Sequence, residues 1–170
     1  MTTADPPSAT EFQRMARGGV RIARVLIDWQ YIERTPGQRN WASTDAVFAA
    51  SAQGGVPVLP LIFGSPPWIS PLPARPPVYT PGQRAAFAAF VRALVERYKP
   101  GGSFWVSQPQ LIPNPPQSWQ IWNEPNLPGF WGGKPNARHY GQLLTIASDE
   151  IRAADPAAAV ITAGIFPYKT

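Results

Sequence analysis

The chain has no cysteine and a single histidine among its 170 residues. Disulfides and thiolate metal sites are excluded by the first absence. The one imidazole, His139, sits in Arg138-His139-Tyr140 at the start of a helical pattern, where a surface or packing role suits it better than catalysis. No metal and no cofactor is expected. No run of about 18 apolar residues occurs, which excludes a membrane-spanning helix. Residues 1–7 lack a basic stretch followed by an apolar one, so no signal peptide is visible. As it stands the chain reads as cytoplasmic, or as secreted if the true start lies upstream. The formal net charge is +5, but Arg14, Arg17, Arg21, Arg24, Arg34 and Arg39 are scattered without a dense cluster. That distribution argues against nucleic acid as a partner. Solenoid repeats and low-complexity tracts are missing as well.

What is present is a regular succession of short elements. The 22 prolines and 14 glycines fall mostly between periodic segments, where they punctuate a fold. Thr10-Glu11-Phe12-Gln13 reads as a capping box opening a helix, which leaves residues 1–9 as a disordered or remnant segment ahead of a domain at 10–170. Gly18-Gly19 ends that helix. Residues 20–27, rich in β-branched side chains, read as a buried strand. A helix over 44–53 and a strand over 56–63 follow. The clearest helix begins at Thr80, with Pro81 at its first position and Gln83 completing a capping box. Phe87, Phe90, Val91, Leu94, Val95 and Tyr98 then recur at steps of three and four, one apolar stripe. After a Pro-rich connection come a strand at 119–122, a helix capped by Asn136 with Tyr140, Leu143, Leu144, Ala147 and Ile151 inward, and a last strand at 159–163. Of Trp119 and Trp122, one is expected to fill the core.

Strict alternation of helices with apolar strands implies a parallel sheet in an α/β protein. A doubly wound sheet and a (β/α)8 TIM barrel both satisfy it. No strand is followed by G-x-G-x-x-G or a P-loop, and the double glycines lie after helices as C-caps, so the barrel is preferred. In a barrel the chemistry gathers at the C-terminal ends of the strands. Here those ends carry Arg24, Asp28 and Trp29, then Ser65 and Trp68, then Asn123, Glu124 and Asn126.

The third group closes Trp119-Gln120-Ile121-Trp122-Asn123-Glu124-Pro125-Asn126, an apolar run that stops on an Asn-Glu-Pro-Asn cluster. A carboxylate in that place can exchange a proton with a glycosidic oxygen, and the adjacent amide can hydrogen-bond a ring hydroxyl. Asn and Pro equally suit a plain turn. Tryptophans and amides together fit a sugar, whose CH faces stack on rings. For Asn123 and Glu124 to share one site, the strand must end or bulge there.

Taken in order, these residues resemble the front half of a clan A glycoside hydrolase, in the bacterial group of β-xylosidase- and cellulase-like barrels. The matching segments are Gly19-Val20-Arg21 through Arg24, Asp28-Trp29, Glu33, Pro36-Gly37, Trp41 and Asp45, then Gly64-Ser65-Pro66-Pro67-Trp68 and Trp119 to Asn126. They span roughly 150 residues in a fixed order. The resemblance implies hydrolysis of O-glycosidic bonds in a glycoside, oligo- or polysaccharide, with retention. It implies Glu124 as general acid/base, Asn123 as the partner of the sugar 2-hydroxyl, and Arg24 as the group orienting the carboxylates. Trp68 and Trp131 would line sugar subsites, with Asn126, Trp29 and Asp28 on the same substrate-binding face.

By the same resemblance the segment corresponds to strands 2 to 5 with their helices, an incomplete barrel. The retaining nucleophile, about 5 Å from the acid/base, would lie at the end of the seventh strand, outside this chain. Asp28 and Glu33 are the nearest substitutes, although Glu33 is expected to order its own loop against Arg34 or Arg39, and Asp45 to face a helix N-terminus. The competing expectation is a non-catalytic carbohydrate-binding or pseudoenzyme half-barrel that self-associates through the strand edges at 20–27 and 159–163.

Overall fold

The computed structural model describes residues 6–167. Helix α1 (Ala9–Arg17) is followed by strand β1 (Ala23–Asp28), a single turn α2 (Trp29–Ile32) and α3 (Ala42–Gly54). Next come β2 (Val58–Phe63), the long α4 (Pro81–Tyr98) and a second single turn, α5 (Ser103–Val106). Strand β3 (Ser118–Ile121), the turn α6 (Pro128–Trp131), α7 (Ala137–Ala154) and β4 (Ala159–Ile161) complete the order.

The four strands are parallel and lie in the order β1-β2-β3-β4. A doubly wound sheet reverses its strand order at a switch point. This one never reverses, as a barrel wall requires. One face carries Val25, Ile27, Ile62 and Ile121, all buried beneath the helices. On the other, Arg24 is exposed and Leu26, Leu59 and Phe63 are only partly covered. That second face would be the barrel interior. The described sheet has β1 and β4 as its edges.

The helices start where backbone donors find acceptors. At α1 both Ser8-x-x-Glu11 and Thr10-x-x-Gln13 fit a capping box, and the structure uses the first. Ser8 N–H donates to Glu11 Oε2 (2.7 Å), while Ser8 Oγ accepts from Glu11 N–H (3.3 Å). The carboxylate is the stronger acceptor and favours the positive helix end, so the helix begins at Ala9 instead of after Thr10. Residues 1–5 of the expected N-terminal segment lie outside the described residues. Thr80 and Gln83 form the expected box at α4, and Asn136 Oδ1 caps α7 through His139 N–H (3.0 Å). The turns α5 and α6 have no counterpart in the sequence reading, since four residues carry no period.

Every stripe residue of α4 from Phe87 to Tyr98 is buried, and so are both Trp119 and Trp122. Asp45, in the first turn of α3, does more than face a helix dipole. Its Oδ1 accepts from Arg97 Nε (2.8 Å) and Tyr98 Oη (2.6 Å), and its Oδ2 from Arg97 Nη2 (2.6 Å). This fork locks α3 to the end of α4, with Phe48 stacked on Tyr98 at 4.1 Å. Burial first, and then the Asp45 carboxylate, push the Tyr98 hydroxyl far above its ordinary pKa, so it stays a donor. Tyr98→Phe should therefore lower unfolding stability by about 1–2 kcal/mol, read from urea denaturation by tryptophan fluorescence. An unchanged midpoint would show that the hydroxyl contributes nothing.

Candidate active site

β3 ends at Ile121, and the backbone then turns left-handed at Trp122 (φ 68°) and at Glu124 (φ 37°). Positive φ at a bulky non-glycine residue is an outlier that costs about 1–3 kcal/mol and recurs at functional sites. Here it has a geometric consequence. An extended strand would send Gln120 and Asn123 to opposite faces. With Trp122 left-handed, both reach the same guanidinium: Arg24 Nε donates to Gln120 Oε1 (2.5 Å) and Arg24 Nη2 to Asn123 Oδ1 (2.8 Å). Asn123 Nδ2 in turn lies 3.4 Å from Glu124 Oε2. Arg24, Asn123 and Glu124 thus form one chain of contacts, with Glu124 half-buried. Asn123 and Glu124 lie just past the C-terminal end of β3, but Arg24, the second residue of β1, reaches them from within the sheet and not from the strand's C-terminal end as expected.

The unusual backbone is held by packing. Trp122 is fully buried against Phe63 (4.6 Å between ring centroids) and Trp131 (6.3 Å), and its Nε1 donates to Phe130 O (2.7 Å). Its N–H donates to Ile62 O (2.9 Å), which extends the β2–β3 pairing one residue beyond the strand. Tyr140 adds a staple that sequence reasoning missed as such. Its hydroxyl donates to Ile121 O (3.1 Å) and accepts from Ala163 N–H (2.6 Å), joining α7 to the ends of β3 and β4.

The other expected site residues divide. Trp68 keeps a partly exposed ring and donates Nε1 to Glu33 O (2.8 Å). Trp29 and Trp131 are buried, which corrects the expectation that they line a ligand subsite. Trp29 is stacked on Phe90 at 5.0 Å, and Trp131 is closed in by Trp122 and Tyr140, so neither offers a ring face. Asn126 is engaged by the backbone of Phe166, donating to its O (2.7 Å) and accepting from its N–H (3.1 Å). Asp28 is occupied by Gln30, whose Nε2 lies 2.8 Å from Oδ2. Glu33 is likewise committed: its carboxylate accepts from Trp29 Nε1 (2.9 Å), Gly37 N–H (2.7 Å) and Arg39 Nε (3.0 Å). It orders the loop after β1 as expected, through Arg39.

Gly64 explains how Asp28 is enclosed. Its φ is +83°, and a Cβ there would collide with Asp28 Oδ1, so only glycine permits the loop to close on the carboxylate. Among the described residues, no group of three or more His, Cys, Asp or Glu side chains could hold a metal ion. No helix of the described residues is long and apolar enough to cross a membrane.

No protein-family description and no curated protein matches the chain. Solved structures do. An exo-β-1,4-mannosidase from Opitutaceae bacterium strain TAV5 superposes with a TM-score of 0.65 at 18% identity, over 91% of this chain and 27% of that one. A family 39 glycoside hydrolase from the gut symbiont Bacteroides cellulosilyticus WH2 gives 0.63 at 18%, over 94% and 31%. A monomeric β-xylosidase from Caulobacter crescentus CB15 gives 0.60 at 21%, over 89% and 31%. The fold is that of part of the barrel in these structures, a parallel α/β wall of the TIM-barrel type. The chain spans about a third or less of the length of these structures, and at such identities the likeness is one of fold.

Burial, opposed by the hydrogen bonds from Gln30, raises the pKa of Asp28 above the ordinary carboxylate value. The folded state then holds the proton more tightly than the unfolded state does. Stability from this group is complete below the unfolded pKa, about 3.9, and is lost as pH rises through the folded value. Asp28→Asn should match the wild type near about pH 3 and gain on it as the pH rises through that window. Melting curves of the two proteins across pH check this; a constant difference would show that Asp28 is not ionising against burial.

Proposed function

We propose that this chain supplies the acid/base half of a retaining glycosidase site acting on O-glycosidic bonds of a carbohydrate. Glu124 is the general acid that protonates the leaving oxygen and then the base that activates water. Asn123 binds the 2-hydroxyl of the sugar, and Arg24 holds the amide and carries positive charge beside the carboxylate. Trp68 offers the sugar a ring face. The observation that carries this reading is the Arg24–Asn123–Glu124 chain beyond β3, in a fold shared with glycoside hydrolases. Asp28 and Glu33 are engaged by Gln30, Trp29, Gly37 and Arg39, which supports a nucleophile drawn from another strand of the barrel.

The decisive experiment has two steps. The reading frame past the codon for Thr170 should encode further strand–helix units, one strand of which ends in Glu. In the protein that includes them, Glu124→Gln should lower kcat on glycosides with poor leaving groups by about 10²–10⁴-fold and leave sugar binding intact. Full activity in that variant would remove Glu124 from the acid/base role.

The edge positions of β1 and β4 in the described sheet, together with Ile22 half-exposed just before β1, favour a second reading, a non-catalytic carbohydrate-binding or pseudoenzyme half-barrel that self-associates. Light scattering separates the two: a monodisperse monomer that cleaves an aryl glycoside excludes the second.

A further inference from the structure

We infer that Gln120 is a positioning residue for the same site, fixing the plane and the charge of Arg24; the inference rests on the acid/base reading of Glu124. Gln120 lies in the middle of the sheet's inner face, in register with Leu61 on one side and Ile161 on the other. It is a polar side chain only 8% exposed between Trp119 and Ile121, and both ends of its amide are used. Nε2 donates to Thr162 O (3.0 Å), and Oε1 accepts from Arg24 Nε (2.5 Å). The Thr162 carbonyl can only accept, so it dictates which way the amide faces. That orientation turns Oε1, the acceptor, toward the guanidinium.

Arg24 needs such an anchor. It projects from an edge strand, largely exposed, and a long side chain held by one contact alone would sweep a wide arc. Gln120 at Nε and Asn123 at Nη2 bind two points of one rigid planar group, which sets its plane. The choice of an amide matters as well. Glutamate at 120 would accept from Nε but would take the arginine's charge into an ion pair, and it would face the Thr162 carbonyl with a lone pair. A neutral acceptor orients the guanidinium and leaves its charge directed at Asn123, Glu124 and a bound sugar. Through Gln120, the end of β4 is also tied across the sheet to β1.

The test uses ¹³C,¹⁵N-labelled chain and the Arg24 Nε–H resonance, assigned by its loss in Arg24→Lys. In the wild type that proton should exchange slowly with water and show a scalar coupling across the hydrogen bond to the Gln120 side-chain carbonyl carbon. In Gln120→Leu its exchange should accelerate about tenfold, the equivalent of one charge-assisted hydrogen bond, with the Asn123 side-chain amide signals displaced. Gln120→Glu, which still accepts, should keep the slow exchange. Absence of the coupling in the wild type, which needs no variant to fold, overturns the inference; so does unaltered Arg24 protection in a folded Gln120→Leu. In the complete barrel, Gln120→Leu should lower kcat by about 10²-fold, as misplacement of an orienting group does, with KM changed little. Unchanged kcat there overturns the positioning role while leaving the hydrolase reading intact. A wild-type barrel with the NMR signature but no glycoside hydrolysis defeats the hydrolase reading instead.

Discussion

Continued as an extended strand beyond Ile121, β3 would present Gln120 and Asn123 to opposite sides of the sheet, and Arg24 could bind only one of them. The left-handed backbone at Trp122 removes that conflict, and the rest of the site follows from it. Asn123 returns to the inner face, Glu124 is set beside it, and a second left-handed residue at Glu124 leads the chain into the α6 turn through Pro125. A strained conformation persists only where the surroundings over-determine it. Here the indole of Trp122 is enclosed by Phe63 and Trp131 and tied through Nε1 to Phe130 O. Burying so large a ring contributes on the order of 2–3 kcal/mol, comparable with the strain it holds in place.

The buried tryptophans are in this sense the scaffold of the polar cluster. Trp131 closes the far side of Trp122, and Tyr140, packed edge-on to Trp131, carries its hydroxyl to the ends of β3 and β4. Burial raises the Tyr140 pKa, which keeps that hydroxyl protonated and able to donate to Ile121 O while it accepts from Ala163 N–H. On the β1 side, Trp29 performs the corresponding task. Stacked on Phe90 of α4, it passes its one polar atom to Glu33, whose carboxylate gathers Gly37 and Arg39. Rings that resemble sugar platforms in a linear reading are thus the means by which helices outside the sheet fix loops at its end.

That difference marks how much of the molecule was legible in the sequence. Periodicity located every helix longer than one turn, and the apolar runs located all four strands, because burial of one face leaves a repeating trace in the residue order. The parallel arrangement followed from alternation, and the preference for a barrel agrees with the unreversed strand order. The requirement that the strand end or bulge near Asn123 was also legible, although not its form. What periodicity does not encode is which of two chemically equivalent options tertiary contact selects. Burial of Trp29 and Trp131 was such a choice, since a tryptophan beside a strand end serves core and ligand equally well in composition. Gln120 did carry a signal: a lone amide inside Trp-Gln-Ile-Trp has no reason to be buried unless both of its ends are bonded.

The distribution of carboxylates sharpens the chemistry the site can perform. Three acids stand at or just after the strand ends: Asp28, Glu33 and Glu124. Glu33 is held by three donors, and Asp28 is enclosed by Gly64 and bonded to Gln30. Making either one a nucleophile would require breaking those bonds and rebuilding the loop after β1. Glu124 is different, since among the described residues its carboxylate meets only the long contact from Asn123, while Arg24 stands behind that amide with a neutral partner at Nε. A proton carrier needs such freedom, for it must alternate between charged and neutral forms during one reaction. A nucleophile needs a fixed, ionised carboxylate aimed at a carbon about 5 Å across the sugar from the acid. Among the described residues at these strand ends, Glu124 has the first kind of environment while Asp28 and Glu33 are bonded elsewhere, which is the physical basis for proposing that a nucleophile comes from another strand.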